Sequence, residues 1–121
     1  FVLDPLPNNT KPEIDERGYN FIKTIRNARP STPIVMVENI IYQQGHIIPA
    51  RYERYTTSNQ AWLEIHDRLI LEGDRDLYYV PCTDLLGDDD EATVDGTHAT
   101  DLGFYRMAQA ITPTLRKILG K

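Results

Sequence analysis

The stretch Pro33–Glu38, PIVMVE, constrains the fold more than any other part of the chain. Its four central residues are all apolar and three are β-branched. They do not alternate with polar ones, so a strand built from them buries both faces. Such a strand belongs inside a parallel sheet that is covered by helices on both sides. The flanking sequence supplies helices. From Pro12 onward, Ile14, Phe21, Ile22 and Ile25 fall near one helical stripe between charges. Thr10 is placed as the N-cap, Pro12 lies in the first turn, Glu13 complements the helix dipole, and Pro30 ends the run. Arg51–Glu72 is a longer helical stretch, with Tyr55, Trp62, Leu63, Ile65, Leu69 and Ile70 as its buried side and Gly73 at its C-cap. Phe1–Leu3 and Asp76–Pro81 read as two further strands. A last helix is expected from Thr100 to Leu119, with Leu102, Tyr105, Met107, Ile111 and Leu115 facing inward. Pro113 should kink it or end it early.

The order strand, helix, strand, helix, strand, loop, helix implies right-handed crossovers and an α/β parallel sheet. The 121 residues, 40% hydrophobic and 26% charged, suit a single domain with no internal boundary. A net charge of -5 without a basic block argues against a nucleic-acid or anionic-membrane surface. No apolar run reaches the roughly 18 residues of a membrane span. Cys82, the one cysteine, has no partner for an intrachain disulfide and reads as a small buried apolar residue. Three strands make a thin sheet, and Phe1, Val2 and Leu3 open the chain inside an apolar strand. Domain ends are usually polar, so a further segment is expected before Phe1. The bare strand edge is expected to pair with that segment, with a swapped element, or with a second copy of the chain.

In open parallel sheets, chemistry gathers beyond the carboxyl ends of the strands. The segments leaving those ends are DPLPNN, ENIIYQQGHIIP and CTDLLGDDDEATVDGTH. Asn8 or Asn9 can therefore share a face with Asp95 and His98. Asp95 and His98 are three positions apart, and Gly96 permits a tight turn between them. A carboxylate that accepts from one imidazole nitrogen fixes the tautomer and stabilises the imidazolium formed at the other. The same residues have a plain reading, with Asp95 capping a turn and His98 an ordinary loop histidine. Asp4 and Glu38 end strands on the same rim, where each can cap a turn or serve the site. His46 and His66 read as surface or half-buried residues, although His46 could line a pocket mouth. Asp84, Asp88, Asp89, Asp90 and Glu91 lack the alternate-position pattern of a calcium loop and read as a solvated acidic turn. Trp62, Tyr78 and Tyr79 read as core, and Thr100 as the cap of the last helix.

The segment VDGTHATDLGFYRMAQAI resembles the last block of the SGNH (GDSL-like) esterases and lipases, an Asp-x-x-His just before the C-terminal helix; GDDDEATVDGTHATDLGF is similar to a bacterial branch of them. FVLDPLPNN is similar to the block that supplies the family's oxyanion-hole Asn, although it departs from the usual Gly-x-Asn-Asp wording. The resemblance implies a three-layer flavodoxin-like parallel sheet. Residues 1–121 would be the C-terminal part of that single domain, with about three strands and three main helices. It implies ester hydrolysis by a Ser-His-Asp mechanism, with His98 as base and then acid and Asp95 orienting it. Asn8 or Asn9 would be an oxyanion donor. It also implies a small acyl or acetyl ester substrate, such as one on a carbohydrate, and no metal or organic cofactor. The family's Gly-Asp-Ser block and its second oxyanion glycine have no counterpart among these residues. Ser31 stands at a strand entrance and Ser58 inside a helix, so the isolated chain is expected to be inactive. The rival reading is a non-catalytic α/β module that binds a partner through its open edge. Export and a cytoplasmic location both remain compatible with the residues.

Overall fold

The computed structural model describes residues 1–120. The apolar runs form three parallel strands, β1 (Val2–Leu3), β2 (Ile34–Val37) and β3 (Leu77–Val80), in the order β1-β2-β3. The amphipathic stretches form α1 (Lys11–Ala28), α2 (Pro49–Leu71) and α3 (Asp101–Leu119). Short 3₁₀ turns at Leu6–Asn8, Gln43–His46 and Cys82–Asp84 follow the three strand ends.

The side chains of β2 alternate between two cores. Ile34 and Met36 pack with Leu6, Ile14, Ile22, Trp62 and Leu69, on the side of α1 and α2. Val35 and Val37 pack with Val80, Leu85, Met107 and Ile111, on the side of α3. The result is a three-layer α/β arrangement, as a doubly buried strand requires. The layers are unequal. Val2 and Val35 are register partners, yet Val2 is 47% exposed and Val35 only 1%. Coverage from the α3 layer therefore stops at β2, and β1 stays bare on that face and along its outer edge.

Thr10 does start α1. Glu13 turns back to accept from both the Thr10 N–H (2.5 Å) and its hydroxyl (2.6 Å). Gly73 follows the end of α2 with φ +96, where it donates to the Ile70 carbonyl. Thr100 caps α3 by accepting from Gly103 N–H.

Some expectations about the helices need correcting. Phe21 and Ile70 are exposed, and so are Leu102 and Tyr105. The inner face of α3 is instead Gly103, Met107, Ala110, Ile111, Leu115 and Ile118. Gly103 sets this rotation, because a side chain there would strike the Ala92 carbonyl. Only that bare residue lets the helix start press against the loop. Pro113 does not end α3, which runs on to Leu119. Pro113 and Gln109 both face solvent, so water can reach the Gln109 carbonyl that Pro113 leaves without a donor.

Candidate active site

All three strand ends, and the turns after them, lie at one rim of the sheet. The first is the turn after β1. Asn8 N–H donates to the Pro5 carbonyl and Asn9 N–H to that of Leu6, each at 3.3 Å. The Asn9 side chain folds back, its Nδ2 donating to Pro5 O at 2.7 Å. Asn9 therefore faces an apolar groove of about 260 Å³ beside Ile14, Gly18 and Trp62. Asn8 lines a different cleft of about 320 Å³, together with Asp4, Asn39, Tyr42 and His98. The two candidate asparagines thus point to different sides of the turn, and only Asn8 shares a cleft with the histidine.

Asp95 and His98 occupy a tight reversal closed by an antiparallel bridge between Thr93 and Ala99. His98 Nδ1 lies 2.7 Å from Asp95 Oδ2. The other carboxylate oxygen accepts from the backbone N–H of His98 (2.8 Å) and of Thr97 (3.0 Å). The His98 backbone bond, then its ring, then the Thr97 bond hold the Asp95 carboxyl down at about 2, so it is ionised at any neutral pH. An ionised acid only accepts. Nδ1 must therefore carry the proton, and in a neutral ring Nε2 is the free lone pair. The His98 side chain is 79% exposed, and among the described residues Nε2 has no hydrogen-bond partner.

Gly96 makes the reversal possible. Its φ is +84, and an added Cβ would overlap the Gln44 side chain. Four neighbours lock the turn. Thr93 Oγ1 accepts from Gly96 N–H and donates to Gln43 Oε1. Gln43 N–H donates to Gly96 O at 3.1 Å, and Gln44 Nε2 donates to Asp95 O at 2.9 Å. Arg51 donates to Thr97 Oγ1 at 2.6 Å.

The remaining sequence candidates separate clearly. Glu38 accepts from the Tyr79 hydroxyl and the Cys82 N–H, both at 2.7 Å, and so ties β2 to the exit of β3. Burial and that carboxylate push the Cys82 thiol up to about 12, which favours the protonated thiol over the thiolate. Asp4 is accessible at the cleft, but the protein around it displaces enough water to raise its carboxyl. His46 bonds Gln43 O and His66 bonds Asp67, both outside the His98 cleft. Asp89 is held by Arg106 through two 2.6 Å bonds. Among the described residues no three His, Cys, Asp or Glu side chains converge as metal ligands. Ser58 is buried and donates to Arg54 O at 2.8 Å, and Ser31 precedes β2 at the opposite end of the sheet.

The sequence reading missed Arg54, Asn39 and Tyr42. Arg54 donates to the carbonyls of Leu6 (3.0 Å) and Pro7 (3.3 Å), which pins the Asn8 turn to α2. Its spacing from Arg51, one helical turn, was the available signal. Asn39 and Tyr42 form the buried wall of the cleft. Their available signal was the polar pair Glu38–Asn39 following an all-apolar strand.

No curated protein matches the chain. A Bacteroides ovatus protein described as a GDSL-like lipase is 37% identical, with a TM-score of 0.92 over 99% of this chain and 36% of that one. The salicylyl-acyltransferase SsfX3 of a tetracycline biosynthetic pathway is 17% identical, with a TM-score of 0.70 over 89% of this chain and 33% of that one. A Streptococcus pneumoniae protein described as a platelet activating factor is 22% identical, with a TM-score of 0.61 over 87% and 51%. The last two share the fold, and this chain spans about a third to a half of all three. The architecture is part of the SGNH hydrolase fold, and the GDSL-like Lipase/Acylhydrolase family matches residues 1–116. The chain belongs to the GDSL-like lipase/acylhydrolase family.

Proposed function

We propose that this chain carries the proton-transfer half of an ester-hydrolysing site together with part of its oxyanion hole. The Asp95–His98 pair carries this reading: a 2.7 Å bond to Nδ1 makes Nε2 the free lone pair of the neutral ring, beside a cleft that Asn8 also lines. In this scheme a serine hydroxyl attacks the ester carbonyl while His98 Nε2 takes its proton. His98 returns that proton to the departing alcohol oxygen, leaving an acyl-serine. Water then attacks the acyl group by the same route, and the acid leaves. Asp95 holds the ring in the useful tautomer and balances the imidazolium. Asn8 donates its amide N–H to the carbonyl oxygen as charge builds there, a contribution worth about 3 kcal/mol for one such donor. No metal or organic cofactor is needed.

The serine would come from protein outside these 121 residues. That agrees with a chain spanning 36% of its Bacteroides relative, and with Ser31 and Ser58 lying away from the cleft. On this reading residues 1–121 are the C-terminal part of one hydrolase domain, the bare β1 edge receives the preceding segment, and the isolated chain turns over nothing. The substrate is a small acyl ester, such as an acetyl ester on a carbohydrate. In the full-length protein, His98→Ala should cut p-nitrophenyl acetate turnover by at least about 10³-fold. Unchanged turnover would remove His98 from the mechanism. It would then favour a module that uses its open β1 edge to bind a partner.

A further inference from the structure

The cleft beside His98 has a polar wall that the hydrolysis scheme does not use. Asn39, two residues past the end of β2, is clamped by Asn59. Its N–H donates to Asn59 Oδ1 at 2.8 Å, and Asn59 Nδ2 donates to its carbonyl at 3.0 Å. The Asn39 side chain donates from Nδ2 to the Tyr42 hydroxyl at 3.1 Å. Its Oδ1 is buried and has no partner among the described residues. Tyr42 is held in turn by the edge-on ring of Tyr55, centroids 6.1 Å apart. Asn39 and Tyr42 line the same cleft as His98.

A buried acceptor left without a donor is costly and uncommon. Here the neighbouring group is informative. The Tyr42 oxygen already accepts from Asn39, so its own proton is free to donate. The pair thus offers one acceptor, Asn39 Oδ1, and one donor, the Tyr42 O–H. Turning the amide over exchanges the roles: Tyr42 donates to Oδ1, and the pair then offers the Asn39 NH₂ as donor and the Tyr42 oxygen as acceptor. Either way one donor and one acceptor of the pair are left without a partner among the described residues, the complement of a hydroxyl group. An alkyl chain would leave both unmet.

We infer that Asn39 and Tyr42 form a specificity-determining subsite that takes a free hydroxyl on the alcohol moiety, next to the scissile ester. The inference rests on the hydrolase reading above. A nearly isosteric pair of esters tests it in the full-length protein: 2-hydroxyethyl acetate, and propyl acetate, in which a methyl replaces the hydroxyl. The wild-type protein should favour the hydroxyl ester in kcat/KM by about tenfold. Tyr42→Phe keeps the ring and removes the hydroxyl, and should bring that ratio close to one. If the ratio is already near one in the wild type, or survives in Tyr42→Phe because both esters fall together, the pair is merely structural and the inference is overturned. If Tyr42→Phe does not fold, Asn39→Ala takes its place: a ratio near one supports the subsite, and a ratio unchanged from wild type overturns it. If the wild-type protein cleaves neither ester, its turnover of p-nitrophenyl acetate decides the hydrolase reading separately. The subsite is then read by NMR, through the Asn39 side-chain amide during glycerol titration. A saturating shift that Tyr42→Phe abolishes supports the subsite, and no shift overturns it.

Discussion

The turn that carries Asn8 follows a two-residue edge strand, and its outside anchor is Arg54. The turn that carries His98 ends a long loop, yet it is held from within by Asp95 and Thr93 and from outside by Gln43, Gln44 and Arg51. The two turns share one reference, because Arg51 and Arg54 sit one helical turn apart near the start of α2. Two cations there oppose the helix dipole, and the first turn has no acid to offset them. The helix gives up a little local stability to set two distant loops against each other. A loop can therefore be positioned as firmly as a strand when side chains satisfy its backbone.

Asp95→Asn strikes the internally held turn at its centre and should have the largest effect. Asparagine keeps the shape but can present an N–H to Nδ1, which favours the tautomer with its proton on Nε2. In the full-length protein, kcat should fall by about 10³- to 10⁴-fold with little change in thermal stability. A loss below tenfold would mean that Asp95 only caps the turn, which was the plain reading of its sequence.

Gly96→Ala strains the same turn without touching the proton pathway. A residue at φ +84 costs about 1–3 kcal/mol, and Gln44 must also move away. The expected outcome is a lower melting temperature and a roughly 10- to 100-fold loss of turnover, because His98 loses its fixed position. Normal melting with normal turnover would show that the turn tolerates a left-handed alanine and that its rigidity is dispensable.

Much of this contrast was legible in the residues. The doubly apolar β2 run implied the parallel sheet, and Gly96 between Asp95 and His98 implied the tight reversal. The rotation of α3 was not legible, because it depends on Gly103 meeting the Ala92 carbonyl, a tertiary contact with no periodic signature. Periodicity alone turns Leu102 and Tyr105 inward for that reason. The different directions taken by Asn8 and Asn9 were also hidden. They follow from a side chain bonding back to Pro5 O, which neighbouring identical residues cannot reveal. Arg54 was hidden differently, since its partners are backbone carbonyls that exist at every position.

Arg54→Met keeps the aliphatic stem of the side chain and removes the bonds to Leu6 O and Pro7 O. Arg51→Met removes the bond to Thr97 Oγ1 instead. If the Asn8 turn depends on its single outside anchor, Arg54→Met should lower kcat by about tenfold. Arg51→Met should cost only about twofold, because the His98 turn keeps its internal bonds. Equal losses would break the comparison between the two turns.

The smallest effect separates the turns by sign. Asp95 is held at about 2, below its ordinary 3.8, so its support of the His98 turn is complete above 3.8 and drains away as pH falls towards 2. Asp4 is shifted the other way by loss of water. Its ionised form is poorly hydrated at the β1 exit, and protonation relieves that cost before Asp95 titrates. Acidification should therefore steady one turn and then loosen the other. Backbone amide NMR during an acid titration reads both, with signals near Asp4 moving first. The Thr97 and His98 amides, which donate to Asp95, should show a separate carboxylate step only at lower pH, distinct from any step due to the His98 ring. A single shared midpoint would mean that the two turns titrate as one unit, and that the carboxylates at this rim are coupled rather than separately placed.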